Sequence, residues 1–298
     1  MPKIFMFKNS PKKEAFSLVE LSIVLIIIGL LIAGITSGRN LVRSSKLSSA
    51  RSVTLSSQIV TIPGMVLWAE STTKDAFLNS QTVDSSQLTT WYNREPSGFL
   101  VKNNLTTSAS NNVTYKELST NDLPALNMTV AGNISLANFS GSALTESTVV
   151  IVFKPTVAPS GTAVTIADSG ASGNLTSSIA IRNNQVTLDA GLTANSSTLT
   201  NPATFALNGE YILMVYFGGT FSKVFVNNTT EVGGAGAVLN AGTNALNGLT
   251  VGANKSGASG IAAEISEVIV YNRVLKDTER QDVMGYLSKK YKITVTGL

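Results

Sequence analysis

The sequence predicts a mainly β protein: a long N-terminal transmembrane α-helix, then a two-sheet antiparallel sandwich with a C-terminal helix. Three observations carry this reading. Phe16 to Ile35 is a run of twenty residues, FSLVELSIVLIIIGLLIAGI, with Glu20 as its one ionisable group. At a rise of ~1.5 Å per residue it spans ~30 Å, the apolar thickness of a bilayer. Past Pro63-Gly64 the apolar residues leave helical spacing and alternate in short runs, Ser147 to Pro155, Glu210 to Gly219, Ser222 to Thr229 and Glu264 to Asn272. Gly, Asn and Ser punctuate them, as antiparallel strands and turns require. Finally, Val283, Leu287 and Tyr291 recur at i, i+4 and i+8, one stripe of a helix that Asp277 is placed to cap.

Composition excludes much chemistry. The 298 residues are 43% hydrophobic and only 13% charged, so the chain buries a sizeable core and covers it largely with Ser, Thr, Asn and Gly. Such a surface suits an envelope or extracellular protein. There is no cysteine and no histidine, which removes disulfides, Ser-His-Asp and Cys-His nucleophiles and most zinc sites. The net charge of +4 is confined to the N-terminal quarter: residues 61–298 carry 14 Lys and Arg against 16 Asp and Glu. The bulk of the chain therefore has no basic face for phosphates, and nucleic acid is not an expected partner.

Lys3, Lys8, Lys12 and Lys13 precede the apolar run, and Arg39, Arg43, Lys46 and Arg51 follow it. The leader lysines lie closest and place the N-terminus in the cytoplasm. No small-x-small signal-peptidase site closes the run, so the segment is expected to be retained. Glu20 is costly there, by about 2.5 to 3.5 kcal/mol near a bilayer centre, and calls for a partner. Helical spacing continues through Asn40, Leu41, Val42, Leu47 and Ala50. The Ser, Thr, Val and Ile content of residues 51–62 predicts fraying near Val53 and extended chain by Ile59.

The stretch KKEAFSLVELSIVLIIIGLLIAGI resembles the N-terminal signature of type IV prepilins and pseudopilins. That resemblance implies a leader over residues 1–15, cut between Ala15 and Phe16 by a prepilin peptidase that also methylates the new amine of Phe16. The family usually has Gly before the cut, where this chain has Ala15. Glu20, fifth in the mature chain, would receive the N-terminus of a neighbouring subunit during assembly. Residues 16–55 form the hydrophobic and stem helix in this reading, 56–64 a linker and 65–298 the sandwich.

The sandwich carries a second resemblance. VLWAE at Val66 to Glu70, TTWYNREPSG at Thr89 to Gly98, VIVFKP at Val150 to Pro155 and LTVGANK at Leu249 to Lys255 are similar to laminin-G-like or concanavalin A-like jelly rolls. So, most specifically, is AAEISEVIVYNRVLKDTERQDVMGYLSKKY at Ala262 to Tyr291. The likeness implies a fold, and a fold does not fix a function.

Glucanases of that superfamily align carboxylates at alternate positions of one strand. Glu264 and Glu267, three apart, are expected on opposite faces, so no catalytic residue is assigned and the chain is expected not to be an enzyme. The resemblance allows a structural calcium ion with Asp122 and Asp168 as loop ligands, but loop aspartates more often close turns on their own backbone, so the expectation is no metal and no cofactor. Tyr92 and Tyr115 are the candidate aromatics for ligand contact, whereas Trp68 and Trp91 fall in core-like motifs. The expected function is a minor or tip subunit of a type IV pilus, displaying a lectin-like sandwich for adhesion or recognition. A pseudopilin of a type II secretion system is the alternative, and a membrane-anchored glycan hydrolase a more distant one. Expected partners are other pilin subunits, the prepilin peptidase/N-methyltransferase, the inner-membrane assembly machinery and a glycan or surface ligand. The expected location is the bacterial inner membrane as a single-pass protein, then the periplasm or an extracellular filament.

Overall fold

The computed structural model describes residues 17–96, 103–107, 112–159, 161–171, 173–182, 185–190, 197–200 (as a strand only) and 205–298. The chain divides into two compact units, Met1–Ser45 and Lys46–Leu298. Helix α1 runs from Leu18 to Leu55. Its start is a reciprocal cap: Ser17 Oγ accepts from the Val19 amide at 3.2 Å, and Glu20 Oε2 accepts from the Ser17 amide at 2.8 Å. From Leu18 to Ile35 every side chain is exposed, although nearly all are apolar. A helix apolar around its whole circumference requires an apolar surrounding, and this one is long and apolar enough to cross a membrane, as a signal sequence also is. Ser22 and Thr36 turn their hydroxyls back onto the Leu18 and Ile32 carbonyls, so neither presents an unsatisfied group to that surrounding.

The second unit is a jelly-roll-like β-sandwich. Its strands in chain order are β1 (Met65–Glu70), β2 (Thr90–Trp91), β3 (Leu105–Thr106), β4 (Val113–Lys116), β5 (Ala125–Met128), β6 (Ile134–Leu136), β7 (Ser147–Pro155) and β8 (Val164–Asp168). There follow β9 (Ser178–Arg182), β10 (Gln185–Asp189), β11 (Ser197–Thr200), β12 (Tyr211–Phe217), β13 (Lys223–Val226), β14 (Leu249–Val251) and β15 (Ala263–Tyr271), before helix α2 (Asp277–Tyr291). One sheet has the order β13-β12-β7-β15-β5-β4, with β1 also paired to β15; the other runs β11-β10-β9-β8-β14-β6-β3-β2. Every pairing within these sheets is antiparallel.

The near-continuous apolar runs of β7 and β12 follow from burial on both faces. Val149, Ile151 and Phe153 join Leu213, Val215 and Phe217 in the core between the sheets. Val150 and Val152, with Ile212, Met214 and Tyr216, face outward into a second core. That outer core is roofed by Val283, Met284, Leu287 and Tyr291 of α2 and by Ala50, Ile59 and Ile62. Each of the large aliphatic side chains contributes ~1.5–3 kcal/mol by leaving water, which explains why the compact unit includes residues 46–64, read from sequence as stem and linker.

Two local expectations are corrected. The chain is not extended at Ile59: Gln58–Thr61 forms a 3-10 turn led by Ser57, whose hydroxyl accepts from the Ile59 amide. The turn delivers Ile59 and Ile62 to the outer core. Asp277 is the first helical residue of α2 rather than its cap, and its carboxylate takes Arg280 Nη1 at 2.6 Å. The Lys276 amide before it goes to Glu279 Oε2 at 2.8 Å, and Arg273 grips the same carboxylate bidentately at 2.7 and 2.8 Å.

A third correction concerns β15. Its register against β7 shifts between Ile265 and Glu267, so that Glu264 lies opposite Lys154 and Glu267 opposite Val152. Val152 faces the outer core and Phe153 the inner one. Lys154 falls on the Val152 side by alternation. The bulge at Ser266 therefore puts Glu264 and Glu267 on the same face of the sheet, not on opposite faces.

Candidate functional site

Glu70 ends β1 directly opposite Glu267 on β15. Two carboxylates so placed repel, and α2 resolves the conflict. Lys290 Nζ lies 2.9 Å from Glu70 Oε2 and 2.8 Å from Glu267 Oε2, all three side chains fully out of solvent. The Trp68 indole N–H donates to Glu267 Oε1 at 2.7 Å, the Tyr286 hydroxyl to the same oxygen at 2.8 Å and the Tyr291 hydroxyl to Oε2 at 2.9 Å. Glu70 accepts from the Thr72 and Thr73 amides at 2.8 and 3.0 Å and from the Thr72 hydroxyl, with Arg94 Nε 3.8 Å from its other side. Two carboxylates thus meet the fully buried Lys290 ammonium in a dry layer, with the Arg94 guanidinium at its edge and each carboxylate oxygen with a donor, the condition under which buried charge is tolerated.

Burial by itself raises the Glu70 pKa, but the Lys290 ammonium and the Thr72 and Thr73 donors outweigh it and hold the carboxyl down at about 2. The Tyr286 and Tyr291 hydroxyls are pushed well up by burial and by the Glu267 charge, which keeps them as donors. A carboxyl with a depressed folded pKa adds stability that is present above its unfolded pKa and lost as pH falls toward the folded one. Urea unfolding should therefore show a loss of up to ~3 kcal/mol from this group between pH 5 and pH 2. Glu70→Gln should flatten that part of the profile; an unchanged profile in the variant would show that Glu70 is not its source.

The same carboxylate shapes the surface above it. By holding Thr72 and Thr73 it fixes the loop after β1. The Tyr92 amide bonds to the Ala76 carbonyl at 3.0 Å and the Arg94 amide to the Trp68 carbonyl at 2.7 Å. Between these segments opens a cleft of about 450 Å³ bordered by Lys74, Asp75, Leu78, Asn79, Tyr92 and Arg94, a size that suits a small ligand. A smaller recess of about 180 Å³ shares Lys74, Phe77 and Asn79 with it and adds Arg51 and Tyr115. Arg94 Nη1 bonds Thr73 Oγ1 at 3.0 Å and also meets Asp75.

Of the residues singled out from sequence, Ala15 and Phe16 lie outside the described residues. Glu20 caps α1 as above, and Tyr92 stands half-buried at the cleft. Tyr115 is corrected: only 7% exposed, it belongs to the inner core, its ring edge-on to Phe77 at 5.8 Å, so little of it is open to a ligand even where it borders the smaller recess. The two loop aspartates are engaged within the chain. Asp168 is buried and its carboxylate takes the amides of Ser169, Ser177 and Lys255 at 2.8, 3.1 and 3.0 Å. Asp122 instead pairs with Lys46, and no group of three or more metal-ligating side chains occurs among the described residues. Trp68 and Trp91 are buried as expected.

Glu70 and Lys290 were not singled out, yet a signal exists for each. Glu70 closes the apolar run Met65–Glu70, and Lys290 falls at i+7 from Val283 and i+3 from Leu287, on the buried stripe of α2.

No protein-family model matches the chain, and no curated protein matches it in sequence. Among solved structures, Trypanosoma rangeli sialidase in complex with sialic acid superposes with a TM-score of 0.50 at 15% identity, over 76% of this chain and 33% of that one. A mutant of the same sialidase displaying trans-sialidase activity gives 0.50 at 13%, with 76% and 33% covered. Domain 4 of AbnA, an extracellular arabinanase from Geobacillus stearothermophilus, in complex with arabinotriose, gives 0.48 at 15%, with 74% and 98% covered. The chain spans about a third of the length of the sialidases, and at these identities the likeness is one of fold. It nevertheless overturns the expectation of a non-enzyme, because chains that contain this fold include the sialidases. One ground for that expectation falls with it: the β15 bulge places Glu264 and Glu267 on one face.

Proposed function

We propose that the chain is a type IV pilin-like subunit, minor or at a filament tip, whose N-terminal helix assembles with those of other subunits and whose β-sandwich recognises a saccharide at the Tyr92 cleft. The observation that carries this reading is helix α1: apolar all round from Leu18 to Ile35, with a carboxylate in its first turn. An exposed apolar cylinder is stable in lipid or in a bundle of like helices. The junction Lys12-Lys13-Glu14-Ala15-Phe16 before it supplies a peptidase site. In this reading the protein is inserted once in the bacterial inner membrane, is cut there by the prepilin peptidase, and passes through the inner-membrane assembly machinery into a filament. The cleft supports the recognition role by its size and by a half-buried tyrosine beside exposed polar side chains.

Mass spectrometry of the N-terminal peptide tests the assembly half. The mature chain should begin at Phe16 with a methylated amine. A start at Met1, or a cut after Ile35, would remove the basis of the pilin reading. Recovery in sheared extracellular filaments, rather than retention in the envelope, separates a pilus subunit from a pseudopilin of type II secretion.

A further inference from the structure

Charge in the cleft points to a ligand class. Resting on the saccharide reading above, we propose that the cleft and its adjoining recess select an acidic saccharide, one whose sugar rings bear carboxylates, with Lys74 of the cleft and Arg51 of the recess as the groups that receive the charge.

The head offers no general excess of positive charge, since residues 61–298 hold more acidic than basic side chains. The cleft and its recess reverse this, with Arg51, Lys74 and Arg94 against Asp75 at their borders. Arg94 is committed to Asp75 and Thr73, with Glu70 behind it. Lys74 and Arg51 have no ion pair among the described residues. Arg51 is held nonetheless, its Nε donating to the Thr72 carbonyl at 2.7 Å. A guanidinium already fixed through one nitrogen loses less freedom when its other nitrogens meet a carboxylate.

Lys74 sits on the loop that buried Glu70 anchors, two residues past Thr72. Two cations with no acidic partner among the described residues, Lys74 at the border of both openings and Arg51 in the smaller recess, form an electrostatic focus for an anion. The remaining lining matches sugar chemistry. Leu78 is 43% exposed and Tyr92 half-buried, which gives apolar surface for the C–H face of a ring. Asn79 is exposed at both recesses and offers an amide to hydroxyls. A neutral sugar uses the second set of groups and leaves both cations to water. A carboxylate-bearing sugar uses all of them, and a charge-assisted hydrogen bond strengthens affinity by about tenfold or more.

The test is isothermal titration of the full-length detergent-solubilised chain with trigalacturonate and a hyaluronan tetrasaccharide, each beside its carboxyl-reduced form, together with an array of neutral saccharides. The acidic probe should bind at least tenfold more tightly than its reduced form. Raising salt from about 50 to 500 mM should shrink that difference. Lys74→Gln, at an exposed position, should weaken acidic binding by about tenfold and leave the reduced form unaffected. Equal affinity for both forms, or neutral saccharides alone binding at a site lost in Tyr92→Ala, would overturn the acidic preference and keep the saccharide reading. Absence of binding to every probe would overturn both.

Discussion

Lys290→Met is expected to destabilise the sandwich by about 3–5 kcal/mol, the cost of stranding buried charge when one partner of an ion pair is removed. Methionine fills much of the lysine stem, so little of the loss comes from a cavity. The loss comes from Glu70 and Glu267, which face each other across β1 and β15 with no solvent to screen them. A cycle with Glu267→Gln isolates the charge term: removing one carboxylate and the ammonium together should cost clearly less than the sum of the single changes. Urea unfolding followed by tryptophan emission reads the network locally, because the Trp68 indole donates to Glu267. A loss under 1 kcal/mol in Lys290→Met, or additivity in the cycle, would show the cluster to be energetically inert.

Glu20→Ala should leave expression, insertion and leader cleavage intact while abolishing incorporation into filaments. Insertion gains from losing a carboxylate inside an apolar run, but the charge that would hold a neighbour's N-terminus is gone. The structure supplies a sharper control. Glu20 also accepts from the Ser17 amide and so caps its own helix, a contribution of ~1 kcal/mol. Glu20→Gln keeps an oxygen for that amide and removes the charge. If pairing between subunits is the role, Gln should fail as completely as Ala. Recovery of assembly with Gln, or normal incorporation of Ala, would reduce Glu20 to a helix cap.

What the sequence made legible follows from range of interaction. Helix α1 was readable because lipid-length apolarity is a local property. Strands β7, β12 and β15 and the stripe of α2 were readable because core contact repeats along one segment. The bulge was written locally too: apolar residues occupy Ala263 and Ile265, then Val268 and Val270, a change of parity within one strand. Counting alternation through it would have put the two glutamates on one face.

Partners distant in the chain were not legible. Nothing near Glu70 announces Lys290, 220 residues away: the apolar run before one and the helical stripe of the other mark each for burial, but neither names its partner. Tyr115 alternates with Thr114 and Lys116 as an exposed position equally well would, and only the placement of Phe77 against it decides the face. The ties of Asp168 were hidden for a related reason. Two of its three amide donors come from residues 177 and 255, which the sequence gives no cause to gather there.

Strand β15 has one further consequence, for the order in which the molecule can mature. It lies between β7 on one side and both β1 and β5 on the other, and β1 reaches it across about two hundred residues of chain. Until residues 263–271 have left the ribosome, β7 has an open edge, β1 has no partner strand, and Glu70 has neither Glu267 nor Lys290. The head is thus barred from early closure during synthesis, and pairings of such long range close slowly. In the pilin-like reading proposed above, a nascent chain whose first helix engages a membrane while its head stays unfolded would be threaded across as a polymer, and the sandwich would then close on the far side in one late event.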